Sequence, residues 1–446
     1  MIHFVIFAFC GFFVAGADAK LYNNASQVVL MRSGNHTVMT MSNNYKGPPE
    51  NFAMVVPVPV VLKKEQVKTL PLDVFKHVDE LSAPRLVEYW EQDPCFQPKY
   101  EEMESMAPRS AVPAPTGGAP KKDLGVKVLA KFEVGEYQIV ILSAKESDGL
   151  ETWLKQNKYK IPDGAAGALA PYVRDQMKFF VARVNIQKVH KDDQGVVQLS
   201  PLRFDFEAAE LRLPVRLGLL NAQDKQDLLV YVIAPDKRYE VANYRTVPIP
   251  TNIEVADEIR KSFAAFYAEL FDATLAHYGG RAVVTEYSWD TGSCDPCPTP
   301  PLEPSELATL GGDVIPQMTQ AYRSVLTRLH TRYDKQTLSD DLVFKEAPPM
   351  MGGREGVDQT VVGQQAGSNN FQGRYIIRHY WSGPIKCEHP LFGRWGGPPG
   401  GGEPKPAAAT GLANAPRGKV VLKDAVRSPI PALGLMGKRP PERKSK

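Results

Sequence analysis

The stretch Val126–Leu142, VKVLAKFEVGEYQIVIL, decides the class of this fold. Val126, Val128, Ala130, Phe132 and Val134 alternate with mostly polar neighbours. Gly135-Glu136 turns the chain, and Tyr137, Ile139 and Ile141 resume the alternation. Successive strand side chains point to opposite faces, so a period of two with a turn at its centre predicts a β-hairpin.

Working outward, the same signal recurs upstream. Gln27–Arg32 and His36–Ser42 are β-rich runs around Ser33-Gly34-Asn35, a second hairpin. Phe52–Leu62 is a third extended run, confined to an edge or bulge because Pro57 and Pro59 cannot donate to a ladder. Phe75, Val78 and Leu81 have helical spacing, and Ser82 can cap a second helix from Ala83-Pro84 through Tyr89-Trp90. Downstream, Asp148-Gly149-Leu150-Glu151 opens a helix through Trp153 and Leu154. Phe179–Val181 is apolar on both faces, as in a central strand. Leu202–Glu207 alternates with one wet face, and Leu228–Ala234 is a buried strand.

Two apolar stripes then predict long helices. Ile259, Phe263, Phe266, Leu270 and Ala273 form the first, closed by Gly279-Gly280. Ile315, Met318, Tyr322, Val325, Leu329 and Tyr333 form the second. A strand, Arg281–Ser288, lies between them, and Arg374–Trp381 is the last strand; Met350–Asn370 reads as a mobile loop. Without regular βαβ alternation the expected class is α+β, mostly antiparallel sheets with two long helices in the second half. The Gly- and Pro-rich stretch after Trp395 cannot supply a core of its own, which predicts a disordered C-terminal tail.

The 446 residues are too many for one ordinary core. The expected division is a leader-like or mis-started N-terminus (1–19), a β-rich segment with a helical pair (20–98), and a Pro/Ala-rich linker (99–124). The main body (125–394) and a basic tail (395–446) follow. The net charge of +3 is unevenly placed. The tail holds ten Lys/Arg and three Asp/Glu, a charge of +7 that leaves the rest at about −4. An acidic body with a basic tail is not a nucleic-acid-binding domain, although the tail could touch anionic surfaces weakly. No further stretch reaches the ~20 apolar residues of a membrane span.

The N-terminus, MIHFVIFAFCGFFVAGADAK, has an apolar run and an A-x-A-like site at Ala17-Asp18-Ala19, but no Lys or Arg before the run. A start assigned too late, inside a longer leader, explains this better. Either reading places the protein outside the cytoplasm, periplasmic or extracellular.

Several strings together resemble a bacterial exported family known as domain of unknown function 2330. They are Phe9–Val29, Val38–Val60, Leu86–Cys95, Gly149–Pro162, Met177–Val184, Ser293–Pro298 and Asn369–Trp381. The resemblance covers roughly Phe9–Trp395. It implies export, and it carries over neither an activity nor a catalytic residue.

The most pointed chemistry is GSCDPC, Gly292–Cys297. A redox Cys-x-x-Cys uses a helix N-terminus to lower one thiol's pKa. Here Pro298, Pro300 and Pro301 delay any helix until about Ser305. A metal site could add Cys387 and His389 to Cys294 and Cys297, although Cys-x-His is an unusual hook. In an exported chain cysteines pair more often, which favours a Cys294–Cys297 clamp and a distant Cys95–Cys387 bridge. That leaves Cys10 odd, with Cys10–Cys95 as the alternative second pairing. His277 and His330 read as boundary residues of the two long helices, and Arg328 and Arg332 as a solvated helix face. No nucleotide, zinc-protease or hydrolase motif is found, so no catalytic, cofactor-binding or metal residue is assigned. The expectation is a non-enzymatic binding or cell-envelope structural module with an envelope or extracellular partner. The alternative is an envelope thiol–disulfide or metal-dependent enzyme centred on Cys294 and Cys297.

Overall fold

A computed structural model describes residues 12–14, 25–42, 53–95, 126–157, 164–191, 197–220, 225–320, 323–354, 361–402, 405–410 and 415–438. The leader-like segment other than 12–14, the linker 99–124 and Cys10 lie outside the described residues. The architecture is α+β, with antiparallel pairing predominating.

The opening hairpin forms from Val126–Val134 and Tyr137–Ala144, and the upstream one from Ala25–Ser33 and His36–Ser42. Each turns at a glycine of positive φ, Gly135 (+54°) and Gly34 (+56°), a region that L side chains rarely enter. Lys178–Val184 lies in the middle of a five-stranded sheet, paired on one side with Tyr137–Ala144 and on the other with Ala53–Val58. Beyond it, the short strand Phe12–Val14 pairs with Ala53–Val55, and among the described residues no strand pairs with Pro57 on that side.

A larger sheet of eleven strands holds Ala282–Asp290, Ser324–Tyr333, Gln226–Pro235, Ala25–Ser33, His36–Ser42 and Leu202–Glu207 in neighbouring order. The two sheets share a core: Val28, Leu30 and Met39 from one meet Met54, Ile139 and Phe180 from the other. Four helices cover the outer faces. Helices α2 (Ser147–Gln156) and α3 (Ala165–Arg174) lie on the smaller sheet; α1 (Leu72–Ser82) and α4 (Phe263–His277) lie on the larger.

Three expectations need correction. The second long helix is absent: Ser324–Tyr333 is a fully paired strand. Its apolar stripe in steps of three and four coexists with a period of two. Val325, Thr327, Leu329, Thr331 and Tyr333 share one face, and three of these five are β-branched. Similarly, Arg85–Glu91 is a strand rather than a helix. Pro84 disfavours helical ψ at Ala83, which sits at ψ 147° and ends α1.

The third correction concerns the tail. Trp395–Gly396 and Ala407–Ala408 both pair with Arg85–Glu91, in a third sheet that also holds Arg374–His379. Further on, Val426 bridges Val255, and Ala409, Val426 and Ile430 are buried in the core that surrounds α4. The reason is α4 itself. Phe266, Tyr267, Leu270, Phe271 and Leu275 make it apolar around much of its circumference, so one sheet cannot cover it. Tail anchors supply the missing cover, Val426 and Ile430 each contributing about 1.5–3 kcal/mol when buried.

Candidate functional site

Three clusters of polar side chains stand out, and the deepest lies where the sequence suggested a solvated helix face. Leu326, Arg328, His330 and Arg332 alternate on the helix-covered face of their strand. Opposite Leu329 and Arg328 on the next strand stand Thr285 and Tyr287, with Glu286 as the extra residue of a bulge. The bulge delivers Glu286 to both cations. Its carboxylate lies 2.6 Å from Arg328 Nε and 2.7 Å from His330 Nδ1, and accepts from Tyr267 Oη at 2.6 Å. Asp79 of α1 takes Arg328 Nη1 at 2.6 Å, and Asp227 lies 3.0 Å from His330 Nε2. Phe271 stacks on the imidazole at 3.8 Å between ring centroids. Asp272 then receives Arg332 at 2.7 Å and Arg417, from the tail, at 2.8 Å. Alternating charges thus run from Asp79 through the core to the half-buried Asp272.

The electrostatics follow from this order. Burial alone would raise the Glu286 pKa, but the His330 and Arg328 charges outweigh it and hold the carboxyl at about 2. Burial opposes a charged His330, yet Glu286 and Asp227 on its two nitrogens raise it above the ordinary histidine value. Burial, with Glu286 beside it, pushes the Tyr267 hydroxyl well up.

The second cluster is an open cleft of about 740 Å³ where the strands Arg85–Glu91, Ile253–Glu254 and Arg374–His379 end. Trp90, Tyr380 and Trp381 supply aromatic surface. Glu91 accepts from the main-chain N–H groups of Trp381 (3.0 Å) and Gly393 (2.7 Å). Glu254 accepts from Arg378 (3.0 Å) and the Tyr380 hydroxyl (3.1 Å). His379 stacks on Trp90 at 4.5 Å and meets Glu88 at 2.8 Å. Burial would raise the Glu88 pKa, but bonds from Arg260 and His379 hold it below the usual carboxylate value. Asp257 and Glu258, in the first turn of a short helix, remain exposed on the rim.

The four cysteines singled out from the sequence fall into two pairs at disulfide distance. Cys95 and Cys387 have Cα atoms 5.5 Å apart and tie the end of one cleft strand to the segment after Trp381. Cys294 and Cys297, 5.0 Å apart at Cα, close a tight loop after Ala282–Asp290. Cys387 is therefore beside Cys95 and not beside Cys294, which takes it out of the four-ligand set considered from the sequence. His277 is exposed at the end of α4.

Residues 5–345 match the model of a family described as an uncharacterized protein conserved in bacteria, domain of unknown function 2330. The chain belongs to this family. Neither a curated protein nor a solved structure matches it. The family region holds Cys95, Cys294, Cys297 and the whole buried charge chain except Arg417. Asn369–Trp381 and Cys387 lie beyond the matched residues.

The buried chain was missed from sequence because the stripe at Val325, Leu329 and Tyr333 fits both periods. The readable signal was Arg328-x-His330-x-Arg332, three basic residues in steps of two, which in a sheet share a face. The bulge at Glu286 leaves no such mark.

Proposed function

We propose that this member of the family is an exported protein that binds a small polar ligand in the aromatic and carboxylate cleft. The observation that carries the reading is the composition of that cleft. Ring faces, carboxylate acceptors and a few fixed donors converge on one concavity, as in small-molecule sites generally. Glu91, Glu254, Asp257 and Glu258 outnumber Arg378 and Arg427, so the cleft favours ligands rich in hydroxyl or amine donors and disfavours polyanions. Saccharides with neutral or amino substituents have that chemistry.

Export is supported by the two cysteine pairs at disulfide distance, since disulfides persist in oxidising compartments. No helix among the described residues is long and apolar enough to cross a membrane. A role in the periplasm or at the cell surface, with an envelope or extracellular partner, agrees with both.

Binding is tested by calorimetry with the full-length oxidised protein against neutral, amino-bearing and carboxylated oligosaccharides. The expected result is binding of the first two, weakened at least ten-fold by the paired rim substitution Asp257→Asn and Glu258→Gln. Preference for the carboxylated set, or binding that the rim pair leaves unchanged, would overturn the assignment of the cleft.

A further inference from the structure

Two fully buried arginines, Arg328 on the large sheet and Arg85 at the start of its strand in the third sheet, are served differently. Arg328 has a carboxylate on each side. Arg85 has none within ion-pair distance among the described residues. Its hydrogen bonds all go to main-chain carbonyls: Leu81 at 2.8 Å, Ala83 at 3.2 Å and Pro296 at 2.7 Å. Among the described residues its Nε has no acceptor, and its guanidinium lies 5.4 Å over the Tyr287 ring. Burial draws the Arg85 pKa down to about 10 against an opposing pull from Tyr287, and the Arg328 charge adds to the fall. Asp295, which also acts on Arg85, is held by Arg354 at 3.0 Å. A buried cation with so little counter-charge is costly, and it marks a place where an anion would be stabilised.

The carbonyl that Arg85 holds belongs to Pro296, between Cys294 and Cys297. Reduction of that pair creates two thiols in the loop, and a thiolate there is the anion the guanidinium lacks. A cation beside a thiol lowers its pKa as a helix N-terminus does. The missing helix start after Cys297 therefore does not decide the chemistry. Cys297 is exposed to an incoming thiolate, whereas Cys294 is half-buried against the core beneath the loop.

We propose that Cys294–Cys297 is a thiol–disulfide exchange site that oxidises a dithiol on a second protein, with Arg85 favouring the thiolate form of the released cysteine. A partner thiolate attacks Cys297 Sγ, the Cys294–Cys297 bond breaks, and an intermolecular disulfide forms while Cys294 leaves with the electron pair. The partner's second thiol loses its proton to solvent and attacks its own sulfur in that mixed disulfide. The partner disulfide forms and Cys297 leaves as a thiolate. Two electrons have passed from the partner dithiol to the cysteine pair. The two protons released by the partner are balanced by those that the cysteine thiolates take up from solvent. A small disulfide such as oxidised glutathione restores the starting state by the reverse exchange.

The test uses the full-length protein, reduced and alkylated across a pH series, with Cys294 and Cys297 followed separately by peptide mass spectrometry. One of the two is expected to titrate at least ten-fold more acidic than an ordinary thiol of pKa about 8.5. Arg85→Met should move that titration back up, and Arg85→Lys should restore part of the shift. Oxidised protein should convert a model dithiol peptide to its disulfide mole for mole, and acid quenching of oxidised protein with a single-thiol peptide should capture the mixed disulfide on Cys297 rather than on Cys294. Ordinary titration of both thiols in the wild type, or no peptide oxidation, would overturn the proposal. If Arg85→Met does not fold, the wild-type titration still decides. A folded Arg85→Met with an unmoved titration would remove Arg85 from the mechanism.

Discussion

His330 Nδ1 lies 2.7 Å from Glu286, and His330 Nε2 lies 3.0 Å from Asp227, so both ring nitrogens face carboxylates. Neutral imidazole has one N–H to donate, and the second carboxylate would then face a lone pair. The ring should therefore be an imidazolium in the folded protein at neutral pH. Carbon and nitrogen NMR shifts of His330 at pH 7 are expected to be those of the charged form. Neutral-form shifts would sink this account of the core.

The same pair sets a pH window for stability. A histidine whose folded pKa is raised contributes fully below its unfolded value, and the contribution is lost as pH rises through the folded pKa. Glu286, held at about 2, contributes above its ordinary value of 4.5, and the contribution is lost as pH falls toward 2. Melting temperature should be highest between about pH 4.5 and 6.5 with respect to these two groups, and should fall on both sides. His330→Gln should flatten the alkaline limb; an unchanged limb would assign it to other groups.

Breaking the chain at its bulge should cost more than an exposed pair would. Glu286→Gln leaves Arg328 with Asp79 alone and His330 with Asp227 alone, all of them buried. Removing one partner of a buried ion pair typically costs about 3–5 kcal/mol. Denaturant unfolding of Glu286→Gln should show a loss of that size. A loss below about 1 kcal/mol, the range of exposed pairs, would mean that water relieves the site.

The tail gives a prediction opposite to the one its composition suggests. Ile430 is 4% exposed and packs with Val426 in the core around α4. Ile430→Ala should destabilise by about 2–5 kcal/mol, as for other buried aliphatic truncations. Truncation after Trp395 should lower the melting temperature cooperatively and also release Arg417 from Asp272. Unchanged melting of the truncated protein would show that the tail docks without stabilising the body.

How much of this was legible depended on how local the signal was. Both hairpins, the central strand Lys178–Val184 and helix α4 carry their period and their turn residues within one short stretch. The helix assigned over Ile315–Tyr333 failed because three-and-four spacing and alternation overlap at Val325, Leu329 and Tyr333. Disorder was assigned to the tail from average composition, whereas its order rests on buried anchors, Ala409, Ala425, Val426 and Ile430, and on the helix α4, far away in sequence, that needs cover. The cysteine pairs were legible as candidates from compartment and spacing. The cleft was not, because Trp90, Glu254 and Arg378 meet only when strands far apart in sequence pair side by side.

The pair Cys95 and Cys387 ties those strands together, and its reduction is the last prediction. The two cysteines are 292 residues apart and flank the cleft, Cys95 after Glu91 and Cys387 after Trp381. Closing so long a loop limits the unfolded chain, and the chain-entropy treatment puts the ceiling at roughly 5.7 kcal/mol. Pro94 also accepts from Leu391 N–H at 2.8 Å, so the segment retains some anchorage without the bond. Cys387→Ser should therefore lower stability by less than that ceiling while the three sheets persist. Its larger effect should be local: faster amide exchange at Trp381 and Gly393, whose N–H groups bond Glu91 on the cleft wall. Exchange at those two amides that does not change on Cys387→Ser would show that the hydrogen bonds to Glu91, and not the sulfur link, hold the cleft in shape.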